Sequence, residues 1–580
     1  MNSPTWDHVA ERDERLSAFA WIMTAMAGVL LCLVQLGTMA SLMTARFGFA
    51  AVFPVSIALA AVVGCVLLRR AGFKFSGLWI AVGLFLLTIL LSLALSAFFF
   101  DFSWDGQWYH QTGIIHIARD WNPLTDSMRS FVAHLEPWER HYAKGPWYFA
   151  AAVYQTTGHI EWGKAMNWIA LAASFWAVFA ACLDRGMRRL NALGVAVVVA
   201  CNPVVMSEVT TYLVDAVMAA FLVVVVAALI SCLTRPSAPA LIAGAAAAIV
   251  TTNAKFTGLV YLCFALAAGL LWCALRNRQW LWSFVGIAAA SLFLAVIVWG
   301  WNPYVTNTYY RGQPFYPMLG SAQYPSLEQS NKDGNERWET PKNMVGRSLL
   351  VRFGYGIFGR PGNQPYVKGK NASLMWPFSA RLEDLYAYKY HETRVAGFGP
   401  FFSGCLILAF FLGLILMVTM RATRWPLVVI TAAVICSLLL SRHLWWPRYG
   451  PQLWLLPILP IALVFSQRVS GYKLVLARVI LVLLIADTAI VSWVRLQWET
   501  TASITLRQQL KQMSASGQLY EVETNYFIES WPLRLREANV RFVDVGMKKL
   551  PDGQELKSVV EGYPLAVRYR VVAGGAPGPH

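Results

Sequence analysis

Residues 78–99 read LWIAVGLFLLTILLSLALSAFF without a single charge, and residues 100–110 then read FDFSWDGQWYH. A hydrocarbon core of about 30 Å takes about 20 residues of helix, so the first run is a membrane span. Helix is the form in which such a run satisfies its own backbone in lipid. The span hands over, within a turn or so, to two carboxylates, Asp101 and Asp105, set among aromatic residues.

The same grammar runs through the chain. Of its 580 residues, 57% are hydrophobic and 14% charged, too apolar for a soluble protein of this size. Apolar runs of spanning length lie near 17–38, 50–68, 78–99, 164–183, 190–207, 213–233, 238–253, 257–275, 280–300, 398–419, 425–441, 449–466 and 474–494. The short alternating segments of a membrane β-barrel are not the pattern. The expected fold is an all-α polytopic membrane protein of about thirteen transmembrane helices. Three regions are expected: 1–77 with two extra N-terminal spans, 78–495 as the main membrane domain, and 496–580 as a small α/β domain. In that tail Ser503–Ser514 reads as helix, while Tyr520–Ile528, Val540–Val545 and Leu565–Val572 alternate like strands.

The net charge of +17 does not point to nucleic acid, because the basic residues sit in short loops between spans. Arg69, Arg70 and Lys74, then Arg185, Arg188 and Arg189, then Arg235, Arg276, Arg278, Arg421, Arg424, Arg468, Lys473 and Arg478 fall in alternate loops. The positive-inside rule places these loops and the N-terminus in the cytoplasm. The loops 100–163 and 301–397, the turns near 208–213, 254–256 and 442–448, and the tail then face the other, periplasm-like side. The nine cysteines lie in or beside apolar runs, so neither a disulfide framework nor a CxxC metal site is implied. The mixed charges of residues 7–15 do not form the n-region of a cleaved signal peptide, so the first span is expected to be retained.

Chemistry-bearing residues collect on the expected outer side. On a helix, Asp101 and Asp105 would share a face, and a rim carboxylate of raised pKa is suited to general-base work; capping is the plainer role. Tyr109, His110 and His141 follow in the same loop, and Lys144-Gly145-Pro146 puts a cation on a sharp turn, suited to a phosphate or to an ordinary interfacial role. Asp215 and Lys255 open the spans after the turns near 208–213 and 254–256. Arg448 and Tyr449 close the segment Ser441-Arg-His-Leu-Trp445-Trp446-Pro-Arg448-Tyr449, where Arg448 offers a planar fork for phosphate or snorkels to headgroups. His110, His116, His134 and His141 with the two aspartates are ligand types for a divalent cation, but no HxH or HExxH spacing is present, and no metal or cofactor is assigned. Asp487, inside the last span, is expected to find a structural partner.

Asp105-x-x-x-Tyr109, Trp121-Asn122-Pro123, Lys144-Gly-Pro, Tyr212-Leu-Val-Asp215, Lys255-x-x-Gly258, Trp301-Asn302-Pro303-Tyr304 and the late Arg448-Tyr449 resemble, in order and spacing, the GT-C superfamily of membrane glycosyltransferases. The likeness covers roughly residues 78–466 and is nearest to the branch of protein O-mannosyltransferases and the lipid A aminoarabinose transferase. That branch carries Asp-Glu and Lys-Pro-Pro where this chain has Asp105-Gly106 and Lys144-Gly145.

The resemblance implies transfer of a sugar from a polyprenyl-phosphate donor to a glycan, lipid or protein acceptor of the cell envelope. It places the reaction on the periplasmic face of a bacterial inner membrane. Asp105, with Asp101, would serve catalysis; Arg448, Lys144 and Lys255 would hold the donor phosphate; Tyr109, His110, His141, Asp215 and Tyr449 would contact substrate. A lipid-linked glycan flippase, or an oligosaccharide or O-antigen ligase, is the alternative. The first would place polar groups near the midplane, whereas here they gather at one rim.

Overall fold

A computed structural model of the chain describes residues 4–125, 135–327, 340–362, 371–421, 424–441, 443–560 and 566–572, with side chains from residue 12 onward. His134, Arg442 and Leu565 lie outside the described residues. The main helices are α1 (Pro4–Met43), α2 (Val52–Arg70), α3 (Phe75–Phe98), α4 (Gly145–Thr157), α5 (Ala165–Asp184), α6 (Arg189–Ala200), α7 (Asp215–Cys232), α8 (Ala238–Ala254), α9 (Phe256–Arg276), α10 (Leu281–Phe293), α11 (Phe402–Thr419), α12 (Arg424–Leu439), α13 (Leu455–Ser466), α14 (Tyr472–Ser516) and α15 (Ser530–Glu537).

Every expected span coincides with a helix, but not all are long. Among the described residues, nine helices are long and apolar enough to cross a membrane: α1, α2, α3, α5, α7, α9, α10 with its flanking turns, α11 and α14. The runs near 190–207, 238–253, 425–441 and 449–466 form the shorter helices α6, α8, α12 and α13. Three are cut at one end by polar backbone. Asn202 stops the run that began as α6, and its side chain accepts from Val204 N at 2.9 Å to start a new turn. Lys255 is extended between α8 and α9, and Pro447–Trp454 is a pair of 3-10 turns before α13.

The helices form two packed groups. In one, α1 lies at the centre against α2, α5 and α8, with α7 packed on α5 and α8; in the other, α11, α13 and α14 pack together, and α12 packs on α9. On α3, Trp79, Ile80, Leu87, Leu90 and Leu91 point outward, a face suited to lipid rather than water.

The two ends of α5 carry different chemistry, about 30 Å apart by helical rise. At one end Asp184 accepts from Trp21 Nε1 at 2.8 Å and Ser231 Oγ at 2.7 Å. Beside it, Arg189 pairs with Asp13 at 2.6 Å and Arg235 with Glu14 at 2.7 Å. At the other end Lys164 pairs with Glu161 at 2.6 Å and donates to the carbonyl of Phe99. The basic loops thus gather at one end of the bundle, and the loops rich in acids and aromatics gather at the other.

The tail differs from expectation in how it joins. The last span and the expected tail helix are one 45-residue rod, α14, about 67 Å long at 1.5 Å per residue. The boundary expected near 495 therefore falls inside a helix. Beyond it, strands β1 (Leu519–Glu523), β2 (Arg541–Asp544), β3 (Gln554–Glu555) and β4 (Arg568–Val571) form a sheet in the order β2-β1-β4-β3. Its β1–β2 pair is parallel and the other pairs are antiparallel. The expected strand 520–528 stops at Glu523 because the chain turns into α15.

The tail core also includes Phe102 and Tyr390 from the two long loops. Arg534 of α15 reaches Glu161 at 2.5 Å, and Trp531 Nε1 donates to Gln107 Oε1 at 2.9 Å. Gln107 in turn donates to the Ser558 carbonyl at 2.8 Å. Arg534 and Glu161 are both buried, so removing one partner strands a charge. The substitution Arg534→Met is expected to weaken the tail contact by on the order of 3 kcal/mol, read as faster hydrogen exchange of the β1 and β4 amides.

A second tie is titratable. His116 Nδ1 lies 2.9 Å from Glu139, His116 Nε2 lies 3.9 Å from Glu529 of the tail, and Arg119 pairs with Glu529 at 3.1 Å. Burial pulls the imidazole pKa down, but the bonds to Glu139 and Glu529 outweigh it and lift the value to about 9. The folded value lies above the ordinary value of about 6.5, so this stabilisation is complete below the latter and is lost as pH climbs through about 9. Amide protection in α15, corrected for intrinsic exchange, is expected to fall across that window and to lose this pH dependence in His116→Gln.

Candidate active site

Three helix breaks and two long loops meet at the acid-and-aromatic end of the bundle. The first loop leaves α3 at Phe99. Asp101 Oδ1 accepts from Ser103 N and Ser103 Oγ, both at 2.7 Å, while Oδ2 accepts from Tyr212 N at 2.7 Å. These bonds give both oxygens of the buried Asp101 carboxylate a partner and pin the loop to the start of the α7 segment. Helix begins only at Trp104 and passes through a wide turn at Gly106–His110. The shared helical face expected for Asp101 and Asp105 therefore does not form, because Asp101 lies before the helix and turns back on Ser103. Gly106 is required here, since a Cβ would strike the Asp101 carboxylate and Ser103 Oγ.

Asp105 points the other way, towards Arg448. The guanidinium NH2 lies 3.2 Å from Asp105 Oδ2, and NH1 lies 2.5 Å from Glu392 Oε2. Arg448 thus reaches a partner 343 residues away along the chain. Arg448 also lies 4.6 Å from the Trp446 ring centroid and 5.2 Å from that of Tyr449. Burial pushes the Asp105 carboxyl above its ordinary value; Arg448 opposes this and Glu392 adds to it.

Lys255 also lies against Tyr449, 4.6 Å from its ring centroid. Its ammonium pairs with Asp215 at 2.6 Å. Asp215 occupies the first turn of α7, where the helix dipole favours an anion. Nearby, Glu208 Oε2 accepts from Ala216 N at 2.9 Å. Burial first, and Asp215 second, drive the Glu208 pKa well up, towards the neutral acid.

Other expected site residues are tied up in adjoining contacts. The buried Lys144 ammonium donates to the carbonyls of Tyr142 at 2.8 Å and Arg140 at 3.0 Å, and lies over the Trp121 and Trp147 rings. It caps the end of the short helix Glu136–His141. Gly145 lets this turn approach α8, where a Cβ would come within 2.8 Å of the Asn253 carbonyl. His110 Nδ1 accepts from Trp147 Nε1 at 2.8 Å, with the tilted Tyr109 ring centred 4.2 Å away. Burial, then the cations Lys255 and Arg448, hold the His110 pKa well down, so it is neutral. His141 Nδ1 lies 2.7 Å from Asn307 Oδ1, and burial lowers its pKa to about 3. Asp487 accepts from Phe401 N at 2.7 Å, the structural role expected of it. Among the described residues, no group of three His, Cys, Asp or Glu side chains is placed to hold a metal ion.

Glu392, Arg394 and Glu208 are brought to this cluster without having been singled out in the sequence. The available signal is positional: each lies within about ten residues of a span's expected outer end, as Asp101 and Asp105 do. Arg495 anchors the arrangement from α14, donating to the Ser207 carbonyl at 3.0 Å and the Lys389 carbonyl at 2.8 Å while pairing with Glu499 at 2.6 Å.

No protein-family model, curated protein or solved structure matches the chain. If Asp105 and Arg448 act on each other as placed, their single substitutions are not additive. A double-mutant cycle with Asp105→Asn and Arg448→Gln is expected to give a coupling of about 1–3 kcal/mol in unfolding free energy; zero coupling would contradict the ion pair.

Proposed function

We propose that this chain is a GT-C-like glycosyltransferase that moves a sugar from a polyprenyl-phosphate donor to a glycan, lipid or protein acceptor of the cell envelope. The reading places the reaction on the periplasmic face of a bacterial inner membrane, with the N-terminus cytoplasmic and the tail periplasmic. The observation that carries it is the Asp105–Arg448 contact at 3.2 Å. It sets a carboxylate base beside a planar cation suited to phosphate, at the ends of helices whose other faces suit lipid.

A second feature fits the lipid half of such a donor. A cavity of about 270 Å³ lies between α5, α6, α7, α9, α12 and α13, walled by residues such as Val178, Leu222, Phe264 and Leu455. At one end stand Tyr261 and Gln452, and the Tyr261 hydroxyl donates to the carbonyl of Tyr449. An isoprenoid tail in this cavity would end beside Tyr449, Lys255 and Arg448.

The chemistry is a single displacement. The acceptor hydroxyl gives its proton to Asp105 as its oxygen forms a bond to the anomeric carbon. The bond from that carbon to the phosphate oxygen breaks, and polyprenyl phosphate departs with the electron pair; attack from the opposite side inverts the configuration. Arg448 and Lys255 balance the charge on the departing phosphate. Recruiting Arg448 to phosphate also weakens its hold on Asp105, which makes the carboxylate more basic when the donor is bound.

The test is transfer of a radiolabelled sugar from polyprenyl phosphate by the purified full chain. The substitution Asp105→Asn is expected to lower turnover by about 10²-fold or more. The acidic limb of the wild-type rate profile is expected above the ordinary aspartate value of about 3.9, in line with the raised Asp105 pKa. Near-normal turnover in Asp105→Asn removes the base assignment, and absence of transfer from any polyprenyl-phosphate sugar removes the reading itself.

A further inference from the structure

Arg448 cannot serve a phosphate as it stands. One arm of its fork holds Asp105 and the other holds Glu392, the latter at 2.5 Å. The other oxygen of Glu392, Oε1, lies 3.6 Å from Arg394 NH2. A single carboxylate thus bridges two guanidinium groups. Both guanidiniums also lie against one indole: Arg394 is 4.1 Å and Arg448 4.6 Å from the Trp446 ring centroid. Arg394 and Glu392 are buried, so this is a built arrangement rather than a surface ion pair.

Two more donors belong to the same cluster. Arg448 Nε–H and Trp446 Nε1–H are buried and have no acceptor among the described residues. Buried donors of this kind normally have a partner. A carboxylate brings two lone-pair-bearing oxygens to the pair of arginines; the phosphodiester of a lipid-linked sugar likewise brings two non-bridging oxygens, and sugar-free polyprenyl phosphate, a monoester, brings three. Replacing the carboxylate by either keeps both charge-assisted contacts, and the monoester adds an acceptor.

Charge decides which acid yields. A phosphate, Glu392 and Asp105 crowded on one arginine would repel one another strongly. Asp105 must stay if it is to take the acceptor's proton. Glu392 comes from the other loop, and its displacement leaves the base in place.

We propose that Arg394 is a second phosphate-binding arginine of this site, and that the Glu392 carboxylate occupies the position of the lipid phosphate until the phosphate displaces it. The inference rests on the reading that a lipid-linked phosphate enters the site. It names the phosphate end of the donor as a ligand of two arginines, with Glu392 as the built-in competitor.

The measurement is binding of sugar-free polyprenyl phosphate to the full chain in neutral-lipid nanodiscs, with inorganic phosphate as a separate titrant. The substitution Glu392→Gln is expected to tighten polyprenyl-phosphate binding by about tenfold, and Arg394→Ala to weaken it by about tenfold or more, each near 1.4 kcal/mol. Arg394→Lys, which keeps the charge but not the fork, is expected between wild type and Arg394→Ala. Should Glu392→Gln not fold by thermal melting, Glu392→Asp, whose shorter arm cannot span both arginines, is expected to tighten binding by a smaller factor. Unchanged or weaker binding in the folded Glu392 variant, or wild-type affinity in Arg394→Ala, overturns the proposal. So does a gain in inorganic-phosphate affinity without a gain for the lipid, which would mean a free-anion site. Because the readout is binding, a chain that behaves as expected here yet transfers no sugar keeps this inference and loses the transferase reading.

Discussion

One arginine holds the acid-and-aromatic end of this protein together. The Arg448 guanidinium is almost fully withdrawn from water and meets a carboxylate on each side, Asp105 at 3.2 Å and Glu392 at 2.5 Å. Withdrawing a guanidinium from solvent costs several kcal/mol unless opposed charge and hydrogen bonds accompany it. Each of its partners is delivered by a different part of the chain, so the first loop, the second loop and the turn before α13 have to arrive together. Satisfying this one charge therefore shapes the loops around it.

The shortened helices are the other half of that arrangement. A continuous helix keeps its polar backbone to itself, and in lipid this is the rule. Here helix is interrupted at three places, Asn202, Lys255 and the Pro447–Trp454 turns. The freed backbone groups are met within the protein: Asn202 bonds Val204 N, Glu208 bonds Ala216 N, and the Tyr449 carbonyl accepts from Tyr261. Each interruption also supplies a polar side chain to the cluster or its edge. Irregular backbone at this depth is tolerated where it lines protein or a cavity, and both are present here.

Much of this was readable from residue order alone, and the limits of that reading have physical causes. Spans declare themselves by length and apolar content, and each expected run is helical. The alternation of basic loops predicted two chemically different ends, and the contacts at the two ends of α5 display them. Spacing did not reveal that Asp101 turns away from Asp105, because that depends on where the helix starts, which Ser103 and Tyr212 decide. Nor did it reveal the setting of Lys144, whose charge is absorbed by two carbonyls in a turn. Glu392 and Arg394 were invisible for a different reason: their significance comes from Arg448, more than fifty residues further on.

The 45-residue helix α14 carries one more consequence. It crosses the bundle, is fastened by Arg495 to both Ser207 and Lys389, and then enters the tail without a joint. A rod has no slack. Inserting or deleting a single residue between Arg495 and Ser516 would swivel everything beyond it by about 100° and slide it by about 1.5 Å, which would carry Trp531 away from Gln107. Loops elsewhere can vary in length during evolution, but this stretch is a ruler whose graduation the chain cannot change.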